Sequence, residues 1–188
     1  MILKKIFNRY WFLFLISGTI IALDQISKAY IRANFLENVD MWAPWDWLLP
    51  YARIVHVSNT GVAFGLFQGK GYIFTVLAVI VSAAIIYYFP QVPASDFILR
   101  LAMGLQLGGA AGNLIDRLLQ GHVTDFISVG TFPVFNIADS SITIGVIILI
   151  LGVWVQEQRE KQRQARLQAS HTDLEMEPSS QDGNASEA

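Results

Sequence analysis

The sequence predicts an all-α polytopic membrane protein: four transmembrane helices with a small β-rich element on the outer face. Three observations predict it. Apolar residues make up 53% of the 188 residues and charged residues only 15%, against roughly 25% charged in an average soluble domain. The mean hydropathy is +0.43. Charge is absent from four blocks, Tyr10–Leu23, Gly71–Ser95, Leu101–Ile115 and Ser140–Gln156. A helix needs about 20 mostly apolar residues to cross a hydrocarbon core of roughly 30 Å. The second block is long enough alone. The others reach that length with a charged or amide residue near one end, giving spans at about 10–30, 71–90, 98–117 and 139–156.

A soluble protein with four buried helices is the competing reading. It fits Ile142–Val155 poorly, because that segment is apolar around its whole circumference and a soluble surface helix keeps a polar face. Lys4, Lys5 and Arg9 before the first block also look like the start of a signal peptide. No A-x-A-like cleavage site is evident and three more spans follow, so an uncleaved first span is expected. Net charge is −2 and there is no cysteine. That excludes a strongly basic nucleic-acid binder, thiol catalysis and Cys-bound zinc.

Orientation follows from the ends. Lys4, Lys5 and Arg9 precede the first span, and Arg159, Lys161, Arg163 and Arg166 follow the last. Four spans put both basic ends on one side, and the positive-inside rule makes that side the cytoplasm. Trp11 and Trp154 then mark the inner ends, and Trp42, Trp45 and Trp47 crowd the first outer loop, as interfacial aromatic belts require. Two outer connections are long, about 32–70 and 118–138, and the inner one, Phe89–Phe97 with two prolines, is short. Arg53–Ser58 alternates like a strand, and Val123–Phe135 is rich in β-branched and aromatic residues around a Gly130 turn signal. Residues 1–157 are therefore expected to form the membrane domain. Residues 158–188, basic and then acidic, are expected to be a disordered polar cytoplasmic tail.

The polar residues of the spans gather at one side. Asp24 ends the first span. Asn113, Asp116 and Arg117 end the third. Asn136 and Asp139 begin the fourth, and Asp125 and Asn59 lie in the outer loops. Ionisable groups in spans are expensive, and they usually face the bundle interior to pair or to function. Each has a plainer reading. Asp24 and Lys28 are four apart and could be a simple helix pair. Gly104, Gly108 and Gly112 form a small-residue stripe suited to close helix contact. Asp116 continues that stripe, so a structural, hydrogen-bonded role is expected for it. Asn113 and Arg117 could satisfy loop carbonyls, and Asn136 could cap a helix. Asp125 and Asp139 sit among apolar residues and bracket a 13-residue loop that could bring them face to face. Solvated or capping roles are the alternative for both.

Five ordered blocks carry a resemblance: Asp24-Gln25-Ile26-Ser27-Lys28; Asn59-Thr60-Gly61-Val62-Ala63-Phe64-Gly65; Gly108 through Arg117; Val123-Thr124-Asp125-Phe126; and Phe135-Asn136-Ile137-Ala138-Asp139-Ser140. In these blocks, spread over most of residues 10–156, the sequence resembles lipoprotein signal peptidase, the signal peptidase II family of bacterial membrane aspartyl proteases. It departs from the family pattern at Thr124, where valine is common, in a shorter Asp125–Asp139 segment, and in its acidic tail.

The resemblance implies an aspartic endopeptidase of the bacterial inner membrane. Its partners would be membrane lipids and diacylglyceryl-modified prolipoproteins, cut on the amino side of the lipidated cysteine. Asp125 and Asp139 match the catalytic dyad. Asp24, Lys28, Asn59, Asn113, Arg117 and Asn136 match residues that bind substrate or support the dyad. One chain would contain the whole site, so function as a monomer is expected, with no cofactor and no nucleic acid. His56 and His122 belong to no H-E-x-x-H pattern, so no metal is expected. The alternative is a small proton-coupled transporter with Asp24, Asp116 and Asp139 as relay sites. The near absence of ionisable groups from the inner halves of the spans disfavours it.

Overall fold

The computed structural model describes residues 2–61 and 70–176. Val62–Gly65 of the second block and the acidic end of the tail, 177–188, lie outside the described residues. Two compact units divide the chain, Met1–Leu149 and Ile150–Ala188. Four long helices run α1 (Ile2–Asn34), α2 (Gly71–Tyr88), α3 (Phe97–Gln120) and α4 (Ile137–Met176). Their stretches Arg9–Asn34, Gly71–Gln91, Phe97–Gln120 and Ile137–Gln168 are long and apolar enough to cross a membrane. Large apolar side chains stand exposed on all four, among them Leu15, Ile26, Val76, Ile80, Ile98, Ile144 and Ile147. In water such surface would drive aggregation. In hydrocarbon it is the expected exterior.

In the first unit α3 is the central helix, packed against α1 and α2. Its glycines explain how closely. A Cβ on Gly104 would lie 2.8 Å from Ile16 of α1, and one on Gly108 would lie 2.7 Å from Ile20. A Cβ on Gly109 would collide with the Ala138 carbonyl of α4. The small-residue stripe therefore faces α1, and the adjacent stripe faces the start of α4. At one end of the bundle Leu13, Ile85, Phe89 and Leu107 form an apolar cluster. Arg100 covers it, 4.1 Å above the Phe89 ring. The polar residues collect toward the other end of α1 and α3.

The β-rich element is a three-stranded antiparallel sheet in the order β1 (Met41–Trp42), β2 (Ala52–Asn59), β3 (Val123–Val129). Strand β2 covers the expected alternating run, with an irregularity in its pairing between Ile54 and Val57. Strand β3 ends at the expected turn, where Gly130 adopts φ +52°, a left-handed value cheap for glycine. The chain then doubles back. The Phe126 and Ile127 amides both donate to the Phe135 carbonyl, at 3.0 and 2.8 Å. This return leaves Asn136 beside Asp125 and starts α4 immediately after it.

Helix α4 continues to Met176, so residues 158–176 are helical where a disordered tail was expected. Their composition accounts for this. The segment is dense in Glu, Gln, Lys, Arg and Ala, all good helix formers. Glu157 pairs with Lys161 at 2.7 Å and Gln164 donates to Glu160 at 3.2 Å, both at the i, i+4 spacing that supports an isolated helix.

Candidate active site

The first turn of α4 builds one side of the site. Asn136 precedes the helix, and its Oδ1 accepts the Asp139 amide N–H at 2.9 Å. Asp139 Oδ2 in turn accepts the Asn136 amide N–H at 3.2 Å. This is a reciprocal capping box, which satisfies two N–H groups that a helix start leaves unpaired. A third, the Ala138 N–H, donates to Asp24 Oδ1 of α1 at 3.0 Å. Asn136 is thus a helix cap and also reaches β3, because its Nδ2 donates to Asp125 Oδ1 at 2.7 Å.

Asp125 lies mid-strand in β3 and is 1% exposed. Register places Val57 opposite it and Asn59 opposite Val123. Asn59 Nδ2 donates to Asp125 Oδ2 at 2.8 Å, and Asn59 Oδ1 accepts the Gly61 amide at 2.9 Å. Asp139 is half-buried, and its Oδ1 accepts from Asn113 Nδ2 of α3 at 2.7 Å. Asp125 and Asp139 both line a cavity of about 440 Å³, together with Asn59, Asn113, Arg117 and an apolar wall that includes Phe132, Pro133, Val134 and Ile144. Burial first, and the neighbouring Asp139 charge second, push the Asp125 carboxyl up to about 7.

Behind the cavity lies a buried ionic cluster. Lys28 of α1 is fully buried. Its ammonium meets Asp24 Oδ2 at 2.8 Å, Asp116 Oδ2 at 3.2 Å and Asn113 Oδ1 at 2.9 Å, so three donors meet three acceptors. Asp24 and Lys28 are the helix pair that their spacing allowed, and the same residues tie α1 to α3 and α4. Gly112 makes room, since a Cβ there would lie 2.7 Å from Asp24 Oδ2. Asp116 also accepts the Thr124 amide at 2.9 Å, which fixes the start of β3 to the end of α3. Arg117 reaches the Asn113 carbonyl at 3.5 Å, and its guanidinium lies 5.8 Å from the Phe74 ring centroid.

The structure gathers every candidate residue into this one region. It adds two to which the sequence reading gave no role. Gln25 Nε2 bridges Asp24, the Gly112 carbonyl and Asp116 at 3.1 to 3.2 Å. Arg32 donates to Thr124 Oγ1 at 3.0 Å and lies 3.6 Å from Asp116. Arg32 continues the i, i+4 row of Asp24 and Lys28, a signal present in the sequence. Gln25 lies off that row and carried none. Among the described residues, no three His, Cys, Asp or Glu side chains are grouped as a metal site would require.

Comparison with known proteins places the chain in a family. The family model for signal peptidase (SPase) II matches residues 16–155. The lipoprotein signal peptidase of Shouchella clausii is 40% identical over 149 residues, covering 79% of this chain and 96% of that one. The lipoprotein signal peptidase of Moorella thermoacetica is 41% identical over 135 residues, covering 72% and 87%. A bacterial membrane enzyme solved by the in meso method at 2.3 Å resolution superposes with a TM-score of 0.71 at 34% identity, over 78% of this chain and 90% of that one. A second such structure, at 1.9 Å, gives 0.65 at 35% identity, over 75% and 91%. With most of its length matched in sequence and in fold, the chain belongs to the signal peptidase II family.

Proposed function

We propose that this protein is a membrane aspartyl endopeptidase that removes the signal peptide from diacylglyceryl-modified prolipoproteins, cutting on the amino side of the lipidated cysteine. Asp125 and Asp139 are its catalytic dyad. The observation that carries this reading is that these two carboxylates line one cavity on a chain of this family, each held by amide donors. Two close carboxylates do not readily both ionise, so they share one proton. The ionised member takes a proton from water, the protonated member polarises the scissile carbonyl, and proton return releases the amine. The pair titrates as a unit.

The site sits at the outer rim of the membrane, with both termini cytoplasmic. A lipid-anchored cysteine and a membrane-inserted signal helix bring the scissile bond to headgroup depth, where α4 begins. The apolar wall at Phe132–Val134 and Ile144 suits acyl chains or the signal helix. Asp24 and Asp116 are both held in ion pairs with Lys28, which gives no support to the relay that a proton-coupled transporter needs.

The test is cleavage by the purified protein of a lipidated precursor beside its unlipidated form. Preference for the lipidated form is expected. Asp125→Asn and Asp139→Asn should each lower kcat by at least about 10³-fold, near the scale of general acid–base catalysis, while the protein stays folded. Full cleavage by either variant would refute the dyad.

A further inference from the structure

We infer that Lys28 is a positioning residue for Asp139, acting through the orientation of the Asn113 amide. This rests on the dyad proposed above. An asparagine amide has a donor end and an acceptor end, and only one orientation presents an N–H to Asp139. Asn113 Oδ1 receives Lys28 Nζ at 2.9 Å and Asn136 Nδ2 at 3.1 Å, and Asn113 Nδ2 donates to Asp139 Oδ1 at 2.7 Å. Turning the amide over would set its NH₂ against the ammonium and against the Asn136 NH₂. It would also set oxygen against oxygen at Asp139.

Lys28 is the partner best able to decide this orientation. Its ammonium is donor-only. Asn136 has two amide hydrogens for three acceptors, Asp125 Oδ1 at 2.7 Å, Asn113 Oδ1 at 3.1 Å and the Thr124 carbonyl at 3.4 Å, so its hold on Asn113 is shared. Asp139 cannot decide it either. In hydrolysis its protonation changes, and a protonated carboxyl would donate its O–H to the oxygen of a reversed amide. Lys28 itself is fully buried between Asp24 and Asp116. Those two carboxylates partly offset its charge, and the hydrogen bond to Asn113 is the route by which it orients the amide; a direct field from the ammonium is the competing route that the double-mutant cycle separates. Asp24 closes the frame by holding the Ala138 amide, one residue before Asp139.

The experiment is a double-mutant cycle on the full-length protein with the lipidated precursor, using Lys28→Met, Asn113→Leu and both together. The expected result is that Lys28→Met lowers kcat by about 10- to 100-fold with KM within about 3-fold, and that the double variant is no slower than Asn113→Leu alone. Wild-type kcat in Lys28→Met overturns the inference. So do losses that multiply in the double variant, because Lys28 would then act by another route. If Lys28→Met does not accumulate, the charge-balanced Lys28→Met/Asp116→Asn variant is compared with Asp116→Asn in its place. A kcat loss of the same size supports the inference and equal rates overturn it. Asp125→Asn and Asp139→Asn separate the two levels. If both are inactive while Lys28→Met is unimpaired, only the positioning role falls. If either cleaves normally, the dyad and the positioning role fall together.

Discussion

At the scale of single residues, the chemistry turns on how the fold treats one carboxyl. Asp125 is buried on a strand, lines the same cavity as a second carboxylate, and is pushed up to about 7 by burial and then by the Asp139 charge. The proposed mechanism needs one proton on the pair. Above about 7 that proton is lost, so kcat should fall as pH rises through this value, measured on the lipidated precursor at fixed ionic strength. The stability consequence has its own sign. An aspartate in the unfolded chain titrates near ~3.9. With the folded value raised, the folded state holds the extra proton between the two values, and stability declines as pH rises from ~4 toward about 7. Asp125→Asn removes that dependence. Its thermal midpoint in detergent should therefore gain on wild type between pH 5 and pH 8; a variant-minus-wild-type difference that stays constant or falls over that range would mean Asp125 is not held neutral. Asp116 sits differently, engaged by Lys28, Arg32 and the Thr124 amide. Asp116→Asn should cost about 3–5 kcal/mol, the usual cost of breaking a buried ion pair. The protein that does fold should retain its turnover. A stable, abundant but inactive variant would move Asp116 into the catalytic machinery.

At the scale of elements, glycines set the distances on which the site depends. Gly109 lets α3 approach the first turn of α4, where Ala138 and Asp139 lie, and Gly112 leaves room for Asp24. Gly109→Ala should lower both folded yield and activity, because its methyl would meet a backbone carbonyl that cannot swing away. Gly18→Ala is the control, since its added Cβ would meet nothing within 4 Å. Equal yields and activities for the two variants would show that the α3–α4 approach is slack. Much of this level was legible beforehand. The Gly104–Gly108–Gly112 period gave a close helix contact on α3, though not α1 as the partner, and alternation gave β2. The capping box was only half legible. Asn136 read as a cap, but its reach to Asp125 depends on the chain doubling back after Gly130, a long-range fold that periodicity does not encode. Strand β1 is two residues long, too short to leave a pattern. The helix past Gln156 was missed because polar composition alone does not distinguish disorder from a helix held by i, i+4 pairs.

At the scale of the whole molecule, the same four spans must be oriented as well as packed. A cluster of polar groups near one end of the bundle is useful to a lipid-anchored substrate only if that end faces the compartment where the substrate arrives. Nothing in the internal hydrogen bonding chooses between the two orientations, since the site would be equally intact upside down. The choice falls to charges outside the hydrocarbon. Lys4, Lys5 and Arg9 precede the first span, and Arg159, Lys161, Arg163 and Arg166 follow the last. Against them stand Arg32, Arg53, Lys70 and Arg117 on the other side or near it, so the bias is modest and should be adjustable. Two of these four, Arg32 and Arg117, are tied into the site and cannot be spared. The bases at the two ends can. Replacing Arg159, Lys161, Arg163 and Arg166 with Gln should leave the purified enzyme's kcat unchanged in detergent, because the candidate site lies within Met1–Leu149. In cells the same variant should yield a mixed population, read by side-specific labelling of single cysteines placed at the chain ends, and processing should fall in proportion to the inverted fraction. Neutralising Lys4, Lys5 and Arg9 as well should deepen the effect. Uniform labelling from the cytoplasmic side after all seven replacements would show that these bases do not set the orientation, and the assignment of the site to the outer face would lose its physical basis.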